Sequence, residues 1–324
     1  MKARLTIGML LLMTTAFAQT ELEKLAQELT GSCHTDREKV TNIFQWITDH
    51  ISYRTPNNIK VIGKLTKRLA GELPEIDTSP LKPLSVRVAE SVYQNRVAVC
   101  DGYARLFTTL CDYAHIPSEV IVGYARSNLN KPGSRFGVNH YWNAVYLDGG
   151  WHLLDATWAS GYVLNTGEFV REYDARYFLA DPADFIRDHF PDDPRWTLLP
   201  DAVMPDEFRQ SPFKQKSFVK YRITSFLPAR GVIEASLGEV ISLELSTADP
   251  DNDQRISPDL LLDSAIYTHS VSWVFLDPVE KPQPGANTYR YEYKVDSPDV
   301  QWLYLKYNND LVLRYKLNIK KKKA

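Results

Sequence analysis

The chain has 324 residues, 44% of them hydrophobic and 24% charged, with only 15 Gly and 19 Pro, which excludes a disordered, collagen-like or low-complexity protein. A formal charge of −2 offers no global basic field for nucleic acid, and three cysteines are too few for a disulfide scaffold. At roughly 150 residues per domain, the length fits about two domains, each able to bury a core.

Residues 1–18 read as a cleavable secretory signal. Lys2 and Arg4 precede an apolar run from Leu5 to Met13, and Ala16-Phe17-Ala18 offers an A-x-A-like site before Gln19. The run is about half of the ~20 residues that a bilayer span needs. Cutting after Ala18 therefore leaves no transmembrane segment and directs the chain to a secreted or periplasmic location, where disulfides can persist.

Thr35-Asp36-Arg37-Glu38 has capping-box spacing, and Val40, Ile43, Phe44 and Ile47 behind it form one helical face. Asn57 to Pro83 is loop-like. A second helix is predicted from Ser85 to Asn95. A third starts at or just after Cys100, with Tyr103, Leu106, Phe107, Leu110, Cys111 and Ala114 as its apolar stripe.

The period then changes. Glu119–Tyr124, Tyr141–Leu147 and Trp151–Trp158 read as strands, with Asp148-Gly149-Gly150 as a tight hairpin turn between the last two. Asp181-Pro182 opens a short helix. From Gly231 onward the pattern is short strands: Val240–Leu245, Val271–Leu276, Tyr289–Val295, Val300–Tyr307 and Leu311–Ile319. This predicts an α+β domain followed by an all-β sandwich, with the change falling within residues 195–225.

Three segments carry chemistry together. Cys100, in Val99-Cys100-Asp101-Gly102-Tyr103-Ala104, stands at a helix mouth, where unsatisfied N–H groups and the macrodipole favour thiolate over thiol. A nucleophilic Cys also needs a His to share its proton and an acceptor to fix that His. With Asp148-Gly149 as a two-residue loop, Trp142 lies opposite Asp155 and His140 becomes the diagonal neighbour on the same face, about 7–8 Å away between backbones. His152, three residues from Asp155, must point to the other face. Parity thus selects His140.

In these residues the chain resembles the transglutaminase-like superfamily of papain-like cysteine enzymes, and within it the kyphoscoliosis peptidase type. The matching features are Ile43-Phe44-Gln45-Trp46-Ile47 with His50-Ile51-Ser52-Tyr53, the Val-Cys-Asp-Gly-Tyr-Ala helix start, the His140-x-Trp142-Asn143 strand and Leu154-Asp155-Ala156-Thr157-Trp158. Tyr177–Pro182, His189-Phe190-Pro191 and Trp196–Leu199 are similar to the stretch that follows the core in that type, so the resemblance runs from about residue 24 to 210. Ala98 replaces a usual Gly and Arg54 a common Asp; neither removes a catalytic group.

The resemblance implies an α+β papain-like transglutaminase core over 19–210, with Cys100 as nucleophile, His140 as general base and acid, and Asp155 orienting the imidazole. The sandwich over 211–324 is then of immunoglobulin-like type. Peptide hydrolysis, transamidation and deamidation, all through a thioester, are the implied chemistries, on protein or peptide substrates and without a cofactor. The backbone N–H of Cys100 is one candidate oxyanion donor. Gln94 has the six-residue spacing of the papain-like donor, yet on a preceding helix it reads more as an ordinary exposed Gln than as an oxyanion donor. A scaffold that keeps the fold without turnover and a cell-wall peptide amidase are the alternative functions.

The remaining features read as structural. Cys111 fits the core stripe, and Cys33 is either free or bridged to it. His34, His50, His115, His189 and His269 show no metal-ligand spacing and read as structural or surface residues. Asp249-Pro250-Asp251-Asn252-Asp253 fails as a Ca²⁺ loop because Gln254 and Leu260 stand where Gly and Glu are required.

Overall fold

The computed structural model describes residues 19–58, 82–126, 136–200, 202–248, 273–279 and 287–320. The leader expected over 1–18, most of the loop expected between Asn57 and Pro83, the Asp249–Asp253 turn and His269 lie outside them.

Two helices open the described chain, α1 (Glu21–Thr30) and α2 (Asp36–His50). Each begins with a capping box: the hydroxyl of Thr20 or Thr35 accepts from the N–H of Glu23 or Glu38, whose carboxylate accepts from the threonine N–H. The short strand β1 (Ser52–Tyr53) follows, then α3 (Leu84–Asn95), β2 (Val97–Ala98) and α4 (Cys100–Tyr113). The β1–β2 pair is parallel, with Tyr53 opposite Ala98, so the chain is pinned two residues before Cys100. Val40, Ile43, Phe44 and Ile47 of α2 pack with Tyr103, Leu106, Phe107, Leu110 and Cys111 of α4 in one core, all at most 1% exposed. At about 1.5–3 kcal/mol for each large apolar side chain, this burial fixes α4 firmly.

The strands β3 (Ser118–Ala125), β4 (His140–Leu147) and β5 (Gly150–Leu154) form an antiparallel meander. After a short helix α5 (Ala156–Ser160) and the hairpin β6 (Gly161–Val163)–β7 (Phe169–Arg171), β8 (His189–Pro191) returns to the free side of β3, giving the order β5-β4-β3-β8. The strand expected over Trp151–Trp158 is thus shorter. It stops at Leu154 because the Asp155 carboxylate accepts from the N–H groups of Thr157 and Trp158 and starts α5 as its N-cap.

The rest is mainly β: β9 (Phe213–Lys214), β10 (Ile223–Leu227), β11 (Val232–Ser236), β12 (Val240–Thr247), β13 (Trp273–Leu276), β14 (Thr288–Lys294), β15 (Trp302–Tyr307) and β16 (Asp310–Lys320). One sheet has the order β10-β12-β14; the other runs β11-β16-β15-β13, with β9 also on β16. Ile241, Leu243 and Leu245 alternate inward from β12 and share a core with Tyr291 of the adjacent β14 and with Leu303, Leu305, Leu313 and Tyr315 from the facing sheet. A separate aromatic cluster, including Phe136, Phe190, Phe208, Phe213, Trp302 and Tyr304, joins the α+β part to this sandwich.

All three cysteines are free, so Cys33 and Cys111 are not bridged. Cys33 Sγ takes a contact from Asn42 Nδ2 at 3.2 Å, while burial pushes the Cys111 thiol pKa up and leaves it inert. Among the described residues, no helix is long and apolar enough to cross a membrane.

Candidate active site

Cys100 is the first residue of α4, and its N-cap, Val99, supplies no side-chain acceptor. The first-turn N–H groups beside the sulfur are therefore not claimed by a capping side chain. Asn143 of β4 ties that helix to the sheet. Its amide nitrogen donates to Ala104 O and Thr108 Oγ1 at 3.0 Å on α4, and to Glu119 O at 3.2 Å on β3.

The hairpin brings His140 and Asp155 together as the parity argument requires. Leu147 pairs with Gly150 and Asn143 with Leu154, leaving Asp148-Gly149 as the loop. Both loop residues have left-handed backbones, φ 53° and 83°, the geometry of a type I′ turn. One step further, His140 Nε2 donates to Asp155 Oδ2 at 2.7 Å. His152 is directed elsewhere, with Nε2 at 3.3 Å from Leu147 O.

Asp155 is 0% exposed and fully engaged. Oδ1 accepts from Thr157 and Trp158, and its own N–H donates to Tyr177 O at 2.8 Å. With Nε2 of His140 committed to Asp155, Nδ1 is the nitrogen left for a partner, and Cys100 is near enough to act on the imidazole. Burial would lower the His140 pKa, but the Asp155 carboxylate and Cys100 outweigh it and the imidazole is pushed up to about 10. Burial likewise acts to raise the pKa of Asp155, and the two neighbouring imidazoles reverse this, holding the carboxyl well below the usual carboxylate range. Tyr53 borders the same place: burial, then the charges of Cys100 and Asp155, raise its phenol pKa.

Among the described residues, no side-chain hydrogen bond links Gln94 to this set. It is exposed on α3 and makes no hydrogen bond among the described residues.

One member was not identified from sequence. His189 is 1% exposed, and its Nε2 lies 3.0 Å from Asp155 Oδ2, so it sits at the site rather than in a merely structural or surface position. Its other nitrogen, Nδ1, lies 2.6 Å from Asp188 Oδ1. The two histidines arrive from strands on either side of β3, where Gly123 pairs with His140 and Ala125 with His189. A Cβ at Gly123 would stand 2.4 Å from both Phe190 O and the Trp142 ring, so only glycine permits that approach. No local spacing announces His189; the adjoining acidic Asp188 is the one nearby signal.

His140, Asp155 and His189 place their nitrogen and oxygen atoms within 4.8 Å of one another. The 2.7 and 3.0 Å nitrogen–oxygen separations are hydrogen-bond lengths, shorter than the roughly 3.3 Å between donors on a tetrahedral zinc-sized ion. The set fits a hydrogen-bonded relay and does not fit a metal cage.

The profile of the transglutaminase-like superfamily matches residues 23–156, from α1 to the residue after Asp155. Human kyphoscoliosis peptidase is 32% identical over 225 residues, which are 68% of this chain and 31% of that protein. Hillarin of Drosophila melanogaster is 30% identical over 217 residues, 63% of this chain and 24% of that one. The chain thus spans about a third or less of the length of these relatives. Among solved structures, the periplasmic domain of TgpA from Pseudomonas aeruginosa is 20% identical and covers 42% of each chain at a TM-score of 0.29, a likeness too slight to add to the assignment. On the profile match and these relatives, the chain is α+β with a transglutaminase-like core and belongs to the transglutaminase-like superfamily, where it is similar to the kyphoscoliosis peptidase type.

Proposed function

We propose that this protein is an exported cysteine enzyme that cleaves or transfers amide bonds of proteins or peptides through a thioester on Cys100. The observation that carries the reading is the buried 2.7 Å bond from His140 Nε2 to Asp155 Oδ2, with the other imidazole nitrogen left for a cysteine at a helix start. In this reading residues 19–210 are the catalytic unit, 211–324 hold substrate or partner, and the Lys2–Ala18 pattern directs export.

The chemistry follows from the groups present. The Cys100 thiolate attacks the amide carbon, and the negative charge that forms on the carbonyl oxygen is met by first-turn N–H groups of α4. His140 gives its Nδ1 proton to the departing amine as the C–N bond breaks, leaving a thioester. Water or a second amine then attacks the thioester carbon, His140 takes the proton of that nucleophile, and Cys100 leaves as thiolate. Asp155 keeps the imidazole oriented and stabilises its charged form throughout.

The test combines alkylation with turnover. Iodoacetamide labelling followed by peptide mapping is expected to modify Cys100 first and to persist below pH 7, with Cys111 untouched. Casein and a glutamine peptide with a primary amine should yield cleavage, ammonia or amine incorporation, lost by about 10³-fold or more in Cys100→Ser. No low-pH alkylation and no product from the wild type would overturn the reading in favour of a scaffold. Turnover of peptidoglycan fragments alone would make it a cell-wall amidase.

A further inference from the structure

Asp155 is shared. Its Oδ2 faces two imidazoles, His140 at 2.7 Å and His189 at 3.0 Å, and only the first is needed to orient a general base. His189 is in turn gripped from outside. Its Nδ1 stands 2.6 Å from Asp188 Oδ1, while Asp188 Oδ2 accepts from the Tyr177 hydroxyl at 3.0 Å. Both nitrogens of the His189 ring thus face carboxylate oxygens, so it can satisfy both as a double donor. The Asp188 side chain is 30% exposed, which makes the set a continuous line of hydrogen bonds from the buried His140 to the surface.

The ring could have been a packing element, since Phe185 stacks on it at 4.2 Å and Trp158 meets it edge-on at 4.5 Å. A packing role alone would not place a carboxylate at each nitrogen, and a phenylalanine would fill the same aromatic box at no desolvation cost. Among the described residues, the charged or titratable groups facing the ring belong to the line: His140 from β4, Asp155 from the head of α5, Asp188 beside it and Tyr177. Cys100 lies one step further, through His140.

From this arrangement we infer that His189 is a positioning residue of the Cys100 site: held by Asp188, it donates to Asp155 and keeps that carboxylate ionised and aimed at His140. The inference rests on the cysteine-enzyme reading. Without the second donor, Asp155 takes up a proton at higher pH, and the His140 imidazolium loses its counter-charge there. The thiolate–imidazolium pair then fails earlier on acidification.

The measurement is the pH profile of iodoacetamide alkylation at Cys100, which needs no substrate, on the full chain. In His189→Phe the acid-side inflection is expected to move up by about one unit, a loss of up to about tenfold in rate below it. His189→Gln, which restores an N–H donor, should recover at least half of the shift. Asp188→Asn leaves the buried ring in place and should move the inflection in the same direction by less, so the test stands even where His189→Phe does not fold. A wild-type profile in folded His189→Phe, or equal shifts in Phe and Gln, would overturn the positioning role. A wild type with no low-pH reactivity at all would instead bring down the Cys100 reading beneath it.

Discussion

Asp155 and Arg314 are both 0% exposed, and the protein accommodates the two buried charges by different means. Four donors converge on Asp155: two backbone N–H groups on one oxygen and two imidazoles on the other. Arg314 makes one hydrogen bond, from Nη2 to Pro191 O at 3.2 Å, and its Nε and Nη1 find no partner among the described residues. Its guanidinium lies against aromatic faces, 4.5 Å from Phe213, 5.1 Å from Trp302 and 5.3 Å from Phe190, and its charge also acts on the Asp192 and Asp193 carboxyls, opposing the upward push of burial on their pKa. Phe190 belongs to β8, the strand of His189, and Trp302 to the sandwich, so Arg314 fills the seam between the two parts. A hydrogen-bonded charge is directional and can aim another group; a charge held by ring faces is tolerant of angle and serves to keep surfaces together.

The contrast predicts opposite responses to substitutions that keep shape. The largest effect is expected at the site, for Asp155→Asn. Its amide oxygen can still cap α5, but the NH₂ group would then face two imidazole nitrogens that each need an acceptor. His140 would turn to the wrong tautomer or swing away from Cys100. Turnover, or failing a substrate the rate of Cys100 alkylation at pH 6, should fall by about 10³–10⁴-fold. A loss below tenfold would mean that Asp155 is not aiming the imidazole.

At the seam, shape matters more than the charge. Arg314→Ala should cost about 3–5 kcal/mol in urea unfolding, since it empties a space lined by rings. Arg314→Met keeps much of the volume and removes two nitrogens without hydrogen-bond partners, but it also takes away the charge that acts on Asp192, so it should cost less than Arg314→Ala but not be neutral. Equal losses in Ala and Met would show that the cation–ring attraction, rather than the filling, holds the seam. Neither variant is expected to alter Cys100 alkylation.

How far each region was readable from sequence follows the same division. The His140–Asp155 bond is a matter of hairpin register, and the left-handed Asp148-Gly149 loop that sets it is a two-residue signal. Thr35, Glu38 and the stripe behind Cys100 are equally local. Asp155 misled in one respect, because its N-cap role ended a strand whose Trp-rich sequence reads as continuing. His189 depends on β8 pairing with β3 over some sixty residues, a contact that no spacing encodes. Arg314 is hidden by alternation itself. On β16, Leu313, Tyr315 and Leu317 face the sandwich core, so the intervening Arg314 belongs to the face normally left to solvent. Here that second face is covered by the aromatic cluster of the seam, a purely tertiary event.

A pH scan separates the two charges with the smallest effect. The raised His140 pKa makes its contribution to stability complete below about pH 6.5, its ordinary value, and lost as pH climbs through about 10. Asp155 works in the other direction: its lowered pKa makes its contribution present above about pH 4 and lost only as pH falls well below the usual carboxylate range. The pair is therefore strongest between about pH 4 and 6.5. Above that window the stability difference between wild type and Asp155→Asn should shrink by on the order of 1 kcal/mol per pH unit up to about pH 9. The difference between wild type and Arg314→Met should stay flat over the same interval, because a guanidinium does not titrate there. Urea midpoints at pH 6.5 and 9 are enough to decide. If both differences shrink together, Arg314 is coupled to the ionisation of the site through β8, and the seam and the relay form one electrostatic unit rather than two.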